Sequence, residues 1–126
     1  MKILVIDDDE LVRRTVVKIL RSDGHEVVCA ADGSAGMALF RTEAPEMVIT
    51  DIIMPEQEGI ETILAIRREN PRARIIAISG GGQFGNVEVL KMAQLLGADD
   101  IIAKPFRAHD LLSAVRVSAK ALAAAK

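Results

Sequence analysis

The sequence predicts an α/β domain in which a doubly wound, five-stranded parallel sheet is covered by helices on both faces. Short apolar runs alternate five times with amphipathic segments of helical period, as expected for repeated strand and helix units. The predicted strands are almost continuously apolar, which is typical of a parallel sheet buried on both faces. The 126 residues suit one domain with its own core and are too few to add an effector domain.

The first half of the chain contains three of the predicted strands and two complete helices. Strands are predicted at residues 3–6, Glu26–Ala30 and 47–50, and helices at residues 11–20 and 34–41. In the first helix the apolar positions recur at helical spacing, with basic residues on the opposite side. Ser34 is the predicted N-cap of the second helix, and Pro45 lies beyond the end of that helix.

The second half completes the alternation. Helices are predicted at residues 59–68, 87–96 and 109–122, and strands at residues 74–78 and Asp100–Ala103. A glycine-rich stretch, residues 79–85, follows the fourth strand. The alanine-rich residues 119–126 are interpreted as a fraying helix end or as the start of a linker.

Composition and charge argue against several classes of protein. The 16 basic and 18 acidic residues give a formal net charge of -2, so no basic excess favours nucleic acid. Three Phe and no Trp or Tyr provide no stacking platform for single strands. The first apolar run is broken at once by acids, unlike a signal peptide, and no stretch approaches membrane-spanning length. We therefore expect a cytoplasmic protein that binds neither nucleic acid nor membrane.

Two further features have a structural interpretation. The single Cys29 lies in an apolar run and is predicted to be a small buried hydrophobe. Arg67, Arg68, Arg72 and Arg74 cluster around the turn after the third helix and are predicted to form a solvated face.

Polar side chains follow four of the five predicted strands at the point where each strand ends. They are Asp7 and Asp8 after the first, Asp51 after the third, Ser79 after the fourth, and Lys104 with Pro105 after the fifth. The carboxyl ends of parallel strands meet at one edge of the sheet, where open α/β folds bind ligands. We therefore expect these side chains to lie together.

The chemistry of this set favours phosphoryl transfer. Three crowded carboxylates repel one another unless a hard divalent cation joins them, and Mg²⁺ suits such an oxygen-rich site. A metal ion and a lysine would neutralise phosphoryl oxygens, and a hydroxyl would donate to them. Asp51 is then the candidate nucleophile. The alternative is that these residues are ordinary solvated loop acids and a surface lysine.

The chain resembles the response-regulator receiver domains of two-component signalling, including the single-domain chemotaxis type. The match covers residues 1–122 and rests on the segments ILVIDDDE, MVITDIIMPEQEG, IIAISGGG and LGADDIIAKPF. The resemblance implies a single receiver domain over residues 1–126, with a flavodoxin-like (βα)5 fold and strand order 2-1-3-4-5.

The resemblance also assigns roles to the clustered residues. It implies that Asp51 accepts a phosphoryl group and that Asp8, Asp51 and the main-chain carbonyl of Ile53 bind Mg²⁺, while Asp7 acts mainly through water. Ser79 and the amide of Gly80 would hold the phosphoryl group. Lys104 would pair with that group, and the Lys104–Pro105 peptide bond would be cis.

Two positions depart from the family pattern. The aromatic residue that usually lies three positions before the lysine is replaced by Ile101, which cannot make the same rotation. The glycine run after Ser79 is predicted to make that loop mobile.

The resemblance implies that the donor is a sensor histidine kinase or a histidine phosphotransfer protein, and that phosphorylation changes the downstream protein partner. We expect a monomer or weak dimer that is not an enzyme toward other molecules, although it catalyses its own phosphorylation and dephosphorylation. Within the family, a receiver cut from a larger regulator or a relay intermediate remains an alternative.

Two alternatives lie in other classes. A Mg²⁺-dependent phosphotransferase or phosphatase with an aspartyl nucleophile would need a second acid two positions after Asp51, where Ile53 stands. A phosphorylation-independent pseudo-receiver would not need the acid pair, Asp51, Ser79 and Lys104.

Overall fold

The computed structural model describes residues 1–52, 58–79, 91 and 94–124, and these residues contain five strands and four complete helices. The strands are β1 (Lys2–Ile6), β2 (Glu26–Ala30), β3 (Met47–Asp51), β4 (Arg74–Ser79) and β5 (Asp100–Ala103). The helices are α1 (Glu10–Ser22), α2 (Gly33–Glu43), α3 (Glu58–Glu69) and a last helix (Ala108–Ala124). Most of the helix predicted at residues 87–96 lies outside the described residues, although Lys91 and residues 94–96 are helical.

All five strands form one parallel sheet in the order β2-β1-β3-β4-β5. This confirms the predicted doubly wound fold and its strand order. The chain moves outward from β1 to β2, crosses back to β3 beside β1, and then continues to β4 and β5. The carboxyl ends of β1 and β3 therefore lie side by side at the centre of the sheet, where ligands bind in folds of this type.

The core consists of two apolar layers, one on each face of the sheet. Alternate residues of each strand point to opposite faces, so that Ile3 and Val5 contact one layer and Leu4 and Ile6 the other. The first layer is covered by α1 and the last helix, and the second by α2 and α3. Because both faces are covered by helices, the chemically active side chains of the sheet are those at its strand ends.

The structure corrects the predicted N-cap of one helix and shows the N-cap of another. Helix α2 begins at Gly33, and its N-cap is Asp32, whose carboxylate accepts from the Ala35 amide at 2.7 Å. The prediction of Ser34 as the N-cap was therefore wrong, because the helix starts earlier and Ser34 lies within it. Helix α1 is capped by Asp9, whose carboxylate accepts from the amides of Leu11 and Val12.

Two burial predictions were also wrong. Cys29 is exposed rather than buried, and it lies on β2, which is an edge strand of the sheet. Arg67 and Arg74 are not solvated, since only 24% of each side chain is exposed and both contact Asp99. Arg68 and Arg72 are exposed, as predicted. Among the described helices, none has the length and apolar character needed to cross a membrane.

Candidate functional site

The register of the sheet brings the predicted site residues to one edge. Ile6 pairs with Thr50, so the next residues of the two strands, Asp7 and Asp51, lie side by side. Ser79 ends β4 one position beyond the partner of Asp51 and pairs with Ala103, which directly precedes Lys104. Residues separated by up to 97 positions therefore meet because parallel strands end together.

Asp51 and Lys104 form the closest ion pair of the site. The Lys104 ammonium donates to Asp51 Oδ2 at 2.8 Å and lies 3.4 Å from Asp7 Oδ2. Asp51 is 4% exposed and Asp7 is 2% exposed, whereas 21% of the Lys104 side chain is exposed. The peptide bond between Lys104 and Pro105 is cis, as the resemblance implied. The lysine thus reaches from the rim of the site to two buried carboxylates.

Asp7, Asp8 and Asp51 form an acidic cluster around a common point. One carboxylate oxygen from each lies within 4.8 Å of the other two. Asp7 and Asp51 are buried, while Asp8 is exposed, so the cluster opens toward solvent at Asp8. Convergent carboxylate oxygens are the ligands that hard divalent cations prefer. The donor set of this cluster therefore fits a cation such as Mg²⁺.

The pKa of Asp7 reflects both its burial and the charges around it in the cluster. Burial raises the pKa of the Asp7 carboxyl above its ordinary value, and the negative charge of Asp51 raises it further. The hydrogen bond from the Asp9 amide and the charge of Lys104 act in the opposite direction without cancelling these effects. The cluster carries more negative charge than one lysine balances.

Lys104 is correspondingly held in its charged form. Burial alone lowers the pKa of its ammonium group, but the hydrogen bond to Asp51 and the charges of Asp51 and Asp7 outweigh that effect. The pKa of Lys104 therefore lies above its ordinary value. A permanently cationic group beside the buried Asp51 carboxylate would attract an incoming anion.

Ser79 places a hydroxyl at the same edge. The residue is 1% exposed, and its Oγ has no hydrogen-bond partner among the described residues. Its main-chain carbonyl accepts from the Lys104 amide at 2.7 Å, which ties the end of β4 to the start of the segment after β5. A buried hydroxyl without a partner is costly, so Ser79 is available to donate to a ligand at this edge.

Gly59 determines how closely α3 approaches the end of β3. A Cβ atom at this position would collide with the main-chain carbonyl of Asp51 and the Cα of Ile52. Gly59 ends the segment MVITDIIMPEQEG, but the sequence alone does not indicate this close contact. Its identity would have indicated close backbone contact only if the position of α3 had been known.

The loop between β1 and α1 is fixed by hydrogen bonds around Asp7. The Asp7 amide donates to the Ala30 carbonyl at 3.2 Å, and Asp7 Oδ1 accepts from the Asp9 amide at 2.9 Å. Arg13 donates to the main-chain carbonyl of Asp7 at 2.8 Å. Arg13 was also missed in the sequence, because an arginine on the polar side of an amphipathic helix gives no sign of such a contact.

Two predicted site residues, Ile53 and Gly80, lie outside the described residues, as does the glycine-rich loop predicted to be mobile. Ile101 lies in β5, pairs with Ala77 and is half-buried against the layer covered by α2 and α3. Of the two histidines, His109 is exposed, and His25 lies 3.5 Å from Asp23.

Comparison with known proteins identifies the class to which this fold and this edge belong. Residues 3–116 match the family model described as the response regulator receiver domain. The chain therefore belongs to the response-regulator receiver domains of two-component systems.

Individual relatives agree with this assignment. The chain is similar to the chemotaxis protein CheY of Bacillus subtilis, at 36% identity over 115 residues, covering 90% of this chain and 93% of that protein. It is also 35% identical over 115 residues to the probable transcriptional regulator ycf27 of Cyanophora paradoxa, covering 91% of this chain and 46% of that protein. The chain thus spans about half the length of some curated relatives and nearly the full length of others.

A solved structure is similar over the whole chain. The response regulator receiver domain protein (CheY-like) from Methanospirillum hungatei superposes with a TM-score of 0.90 at 27% identity, covering 99% of this chain and 98% of that one. This similarity supports the fold and its strand order.

Proposed function

We propose that the protein is a phosphoacceptor that receives a phosphoryl group on Asp51 in two-component signalling. The observation that carries the proposal is the buried Asp51 carboxylate, which is paired with Lys104 at 2.8 Å and accompanied by Asp7 and Asp8. A carboxylate in such a setting is a nucleophile with a cation already beside it, and the family supplies the class of reaction.

The donor would be a phosphohistidine of a sensor kinase or of a histidine phosphotransfer protein. A carboxylate oxygen of Asp51 forms a bond to phosphorus as the bond to the histidine nitrogen breaks, and the nitrogen keeps the electron pair. Lys104 neutralises charge on the phosphoryl oxygens, and the Ser79 hydroxyl donates a hydrogen bond to one of them. The resemblance gives the same task to the amide of Gly80.

Asp7, Asp8 and Asp51, with the main-chain carbonyl of Ile53, would hold Mg²⁺. The bound ion would supply positive charge for the phosphoryl oxygens and would relieve the repulsion among the carboxylates. The convergence of one carboxylate oxygen from each of Asp7, Asp8 and Asp51 within 4.8 Å of one another supports this assignment.

The output would be a change of protein partner, in the cytoplasm and by a monomer or weak dimer. The protein would not be an enzyme toward other molecules, although it would catalyse its own phosphorylation and dephosphorylation. Ile101 stands where other receivers have the aromatic residue of their switch and cannot make the same rotation, so the change at Ser79 would be transmitted without that rotation at position 101.

The test is the intact mass of the protein after incubation with Mg²⁺ and acetyl phosphate. The wild type should gain one base-labile phosphoryl group, while Asp51→Asn and the wild type in excess EDTA should not. Failure of the wild type to gain mass, together with failure to bind Mg²⁺, would overturn the proposal in favour of a phosphorylation-independent interaction module.

A further inference from the structure

Arg13 and Arg14 are adjacent on the first turns of α1 but make different contacts. Arg13 is half-buried, and its Nη1 donates to the main-chain carbonyl of Asp7 at 2.8 Å. Arg14 is exposed, with 78% of its side chain accessible, and pairs with Glu10 at 3.3 Å along the helix. Of these two arginines, only Arg13 therefore donates to the loop that carries the acidic cluster.

Other hydrogen bonds also hold the acids of that loop, including the contact of Lys104 with Asp7 Oδ2 at 3.4 Å. Asp7 bonds through its amide to Ala30 and through one carboxylate oxygen to the Asp9 amide, and Asp9 in turn caps α1. The Arg13 contact adds a bond to the remaining main-chain polar group of Asp7, its carbonyl. Both sides of the Asp7 backbone are then fixed, one by β2 and the other by α1.

Fixing this loop matters because its acids repel Asp51. Asp7 and Asp51 are both buried, and one carboxylate oxygen of each lies within 4.8 Å of the other. Without a cation, a loop carrying two acids lowers its energy by moving them away from a third. A guanidinium group on the Asp7 carbonyl opposes this movement and keeps the oxygens converged.

We propose that Arg13 is a positioning residue for the cation site, acting through the Asp7 carbonyl and touching neither the metal nor the phosphoryl group. The proposal rests on the proposed function in one respect, which is that the acidic cluster takes up Mg²⁺. Groups that orient metal ligands without touching the metal typically contribute tenfold or more to affinity.

The test measures the affinity for Mg²⁺ in unphosphorylated protein by titration of the amide NMR signals. We compare the wild type with Arg13→Gln, Arg13→Lys and the matched control Arg14→Gln, and we record the thermal unfolding of each in EDTA. Arg13→Gln should weaken Mg²⁺ binding about tenfold. Arg14→Gln, which removes the same charge one residue away, should change it less than about twofold.

Arg13→Lys should recover part of the affinity, because an ammonium group can donate to the Asp7 carbonyl from the same position. Amide hydrogen exchange gives a second readout. The Asp9 amide, which is bonded to Asp7 Oδ1, should exchange faster in Arg13→Gln than in Arg14→Gln.

Three outcomes would overturn the proposal. Equal Mg²⁺ affinity in Arg13→Gln and the wild type would remove Arg13 from the site, leaving the proposed function intact. Equal losses of Mg²⁺ affinity in Arg13→Gln and Arg14→Gln would show that Arg13 acts only through its positive charge and not through its contact with the Asp7 carbonyl. Absence of Mg²⁺ binding in the wild type would refute the cation site itself. If Arg13→Gln unfolds, Arg13→Lys compared with Arg14→Lys takes its place.

Discussion

The strands begin at one edge of the sheet, the amino edge, and end at the other, the carboxyl edge. Both edges contain acidic and basic residues, but the two differ in how these residues are paired. At the carboxyl edge three carboxylates lie together and Lys104 contacts two of them, Asp7 and Asp51, while the buried Ser79 hydroxyl has no partner among the described residues. At the amino edge Asp99 lies between Arg67 and Arg74 and also accepts from the Ile75 amide at 2.8 Å.

Arg67 shows how extensively the residues of the amino edge are paired. Its guanidinium donates to the carbonyls of Pro71, Ala73 and Gly97 and to Asp99, at distances of 2.5 to 2.9 Å. These bonds hold the end of α3 against the turn before β4 and the segment before β5. The amino-edge network is mostly paired, although the buried Arg74 Nε has no partner among the described residues, and a well-paired network stabilises a fold. An unbalanced cluster of charges costs stability and is a candidate ligand site.

The largest expected effect is at the amino edge. Arg67→Leu removes the donor to the carbonyls of Pro71, Ala73 and Gly97 and one of the partners of Asp99, and it should lower the free energy of unfolding by about 3 kcal/mol. Chemical denaturation measures the loss, and the exposed Arg72→Leu is the matched control with little change. Mg²⁺ affinity of the folded variant should stay within about twofold of the wild type. A loss of less than about 1 kcal/mol would show that the amino edge is not the stabilising one.

The next largest effect is expected at Gly59, where the close approach of α3 to the end of β3 positions Asp51. Gly59→Ala forces α3 away from β3 and should cost about 2 kcal/mol of unfolding free energy, with phosphorylation slowed at least tenfold. Gly24→Ala separates the two consequences, because Gly24 has a φ of +90° but no atom within 4 Å of an added Cβ. The Gly24→Ala control should lose about 1 kcal/mol of unfolding free energy through backbone strain, and it should be phosphorylated at the wild-type rate. A normal rate in Gly59→Ala would contradict the proposed role of this close contact.

A smaller effect of opposite sign is expected at Asp7. Because the folded pKa of Asp7 lies above its unfolded value of 3.8, ionisation of this group opposes folding. Asp7→Asn should therefore raise the unfolding free energy of the metal-free protein at neutral pH by about 1 kcal/mol. The advantage should disappear as the pH falls through the folded pKa toward 3.8, where the wild-type carboxyl is neutral as well.

Thermal unfolding between pH 4 and pH 7 in EDTA measures this difference, and Asp9→Asn, which keeps a good N-cap, is the control. Addition of Mg²⁺ should favour the wild type over Asp7→Asn. A destabilised Asp7→Asn variant at neutral pH would mean that the carboxyl edge is balanced like the amino edge.

The smallest effect is expected at an exposed pair. Arg41 on α2 donates twice to Glu69 on α3 at 2.9 Å, but 60% of the Arg41 side chain is exposed. The hydrogen bond from Arg41 lowers the pKa of Glu69, yet solvent screens the interaction. Arg41→Gln should change the melting temperature by less than about 1 °C in calorimetry. A larger loss would show that geometry alone, without burial, makes an ion pair stabilising in this fold.

The sequence predicted the carboxyl edge well and the amino edge poorly, for a physical reason. Asp51 and Lys104 follow apolar strands, and parallel pairing alone brings strand ends together. The contacts of Arg67 depend on the path of the turn after α3, where the arginines were predicted to be solvated. Hydrophobic periodicity does not distinguish a solvated arginine from one that binds main-chain carbonyls.

The errors at Cys29 and Ser34 have similar local origins. An apolar strand pattern does not show which strand lies at the edge of the sheet, and Cys29 is exposed on β2, which is such a strand. Asp32 and Ser34 are both good N-caps two positions apart, so composition could not choose between them. In contrast, the bounds of β2 and β5 were predicted to the residue, since turns and acids delimit those apolar runs on both sides.

The most direct test of the central claim is a crystal structure of the protein with Mg²⁺ and beryllofluoride, which mimics a phosphoryl group. The claim predicts beryllium bonded to a carboxylate oxygen of Asp51, Lys104 in contact with a fluorine, and Mg²⁺ within the cluster of Asp7, Asp8 and Asp51. Beryllofluoride bound elsewhere, or a carboxyl edge that stays empty at saturating Mg²⁺ and beryllofluoride, would contradict it.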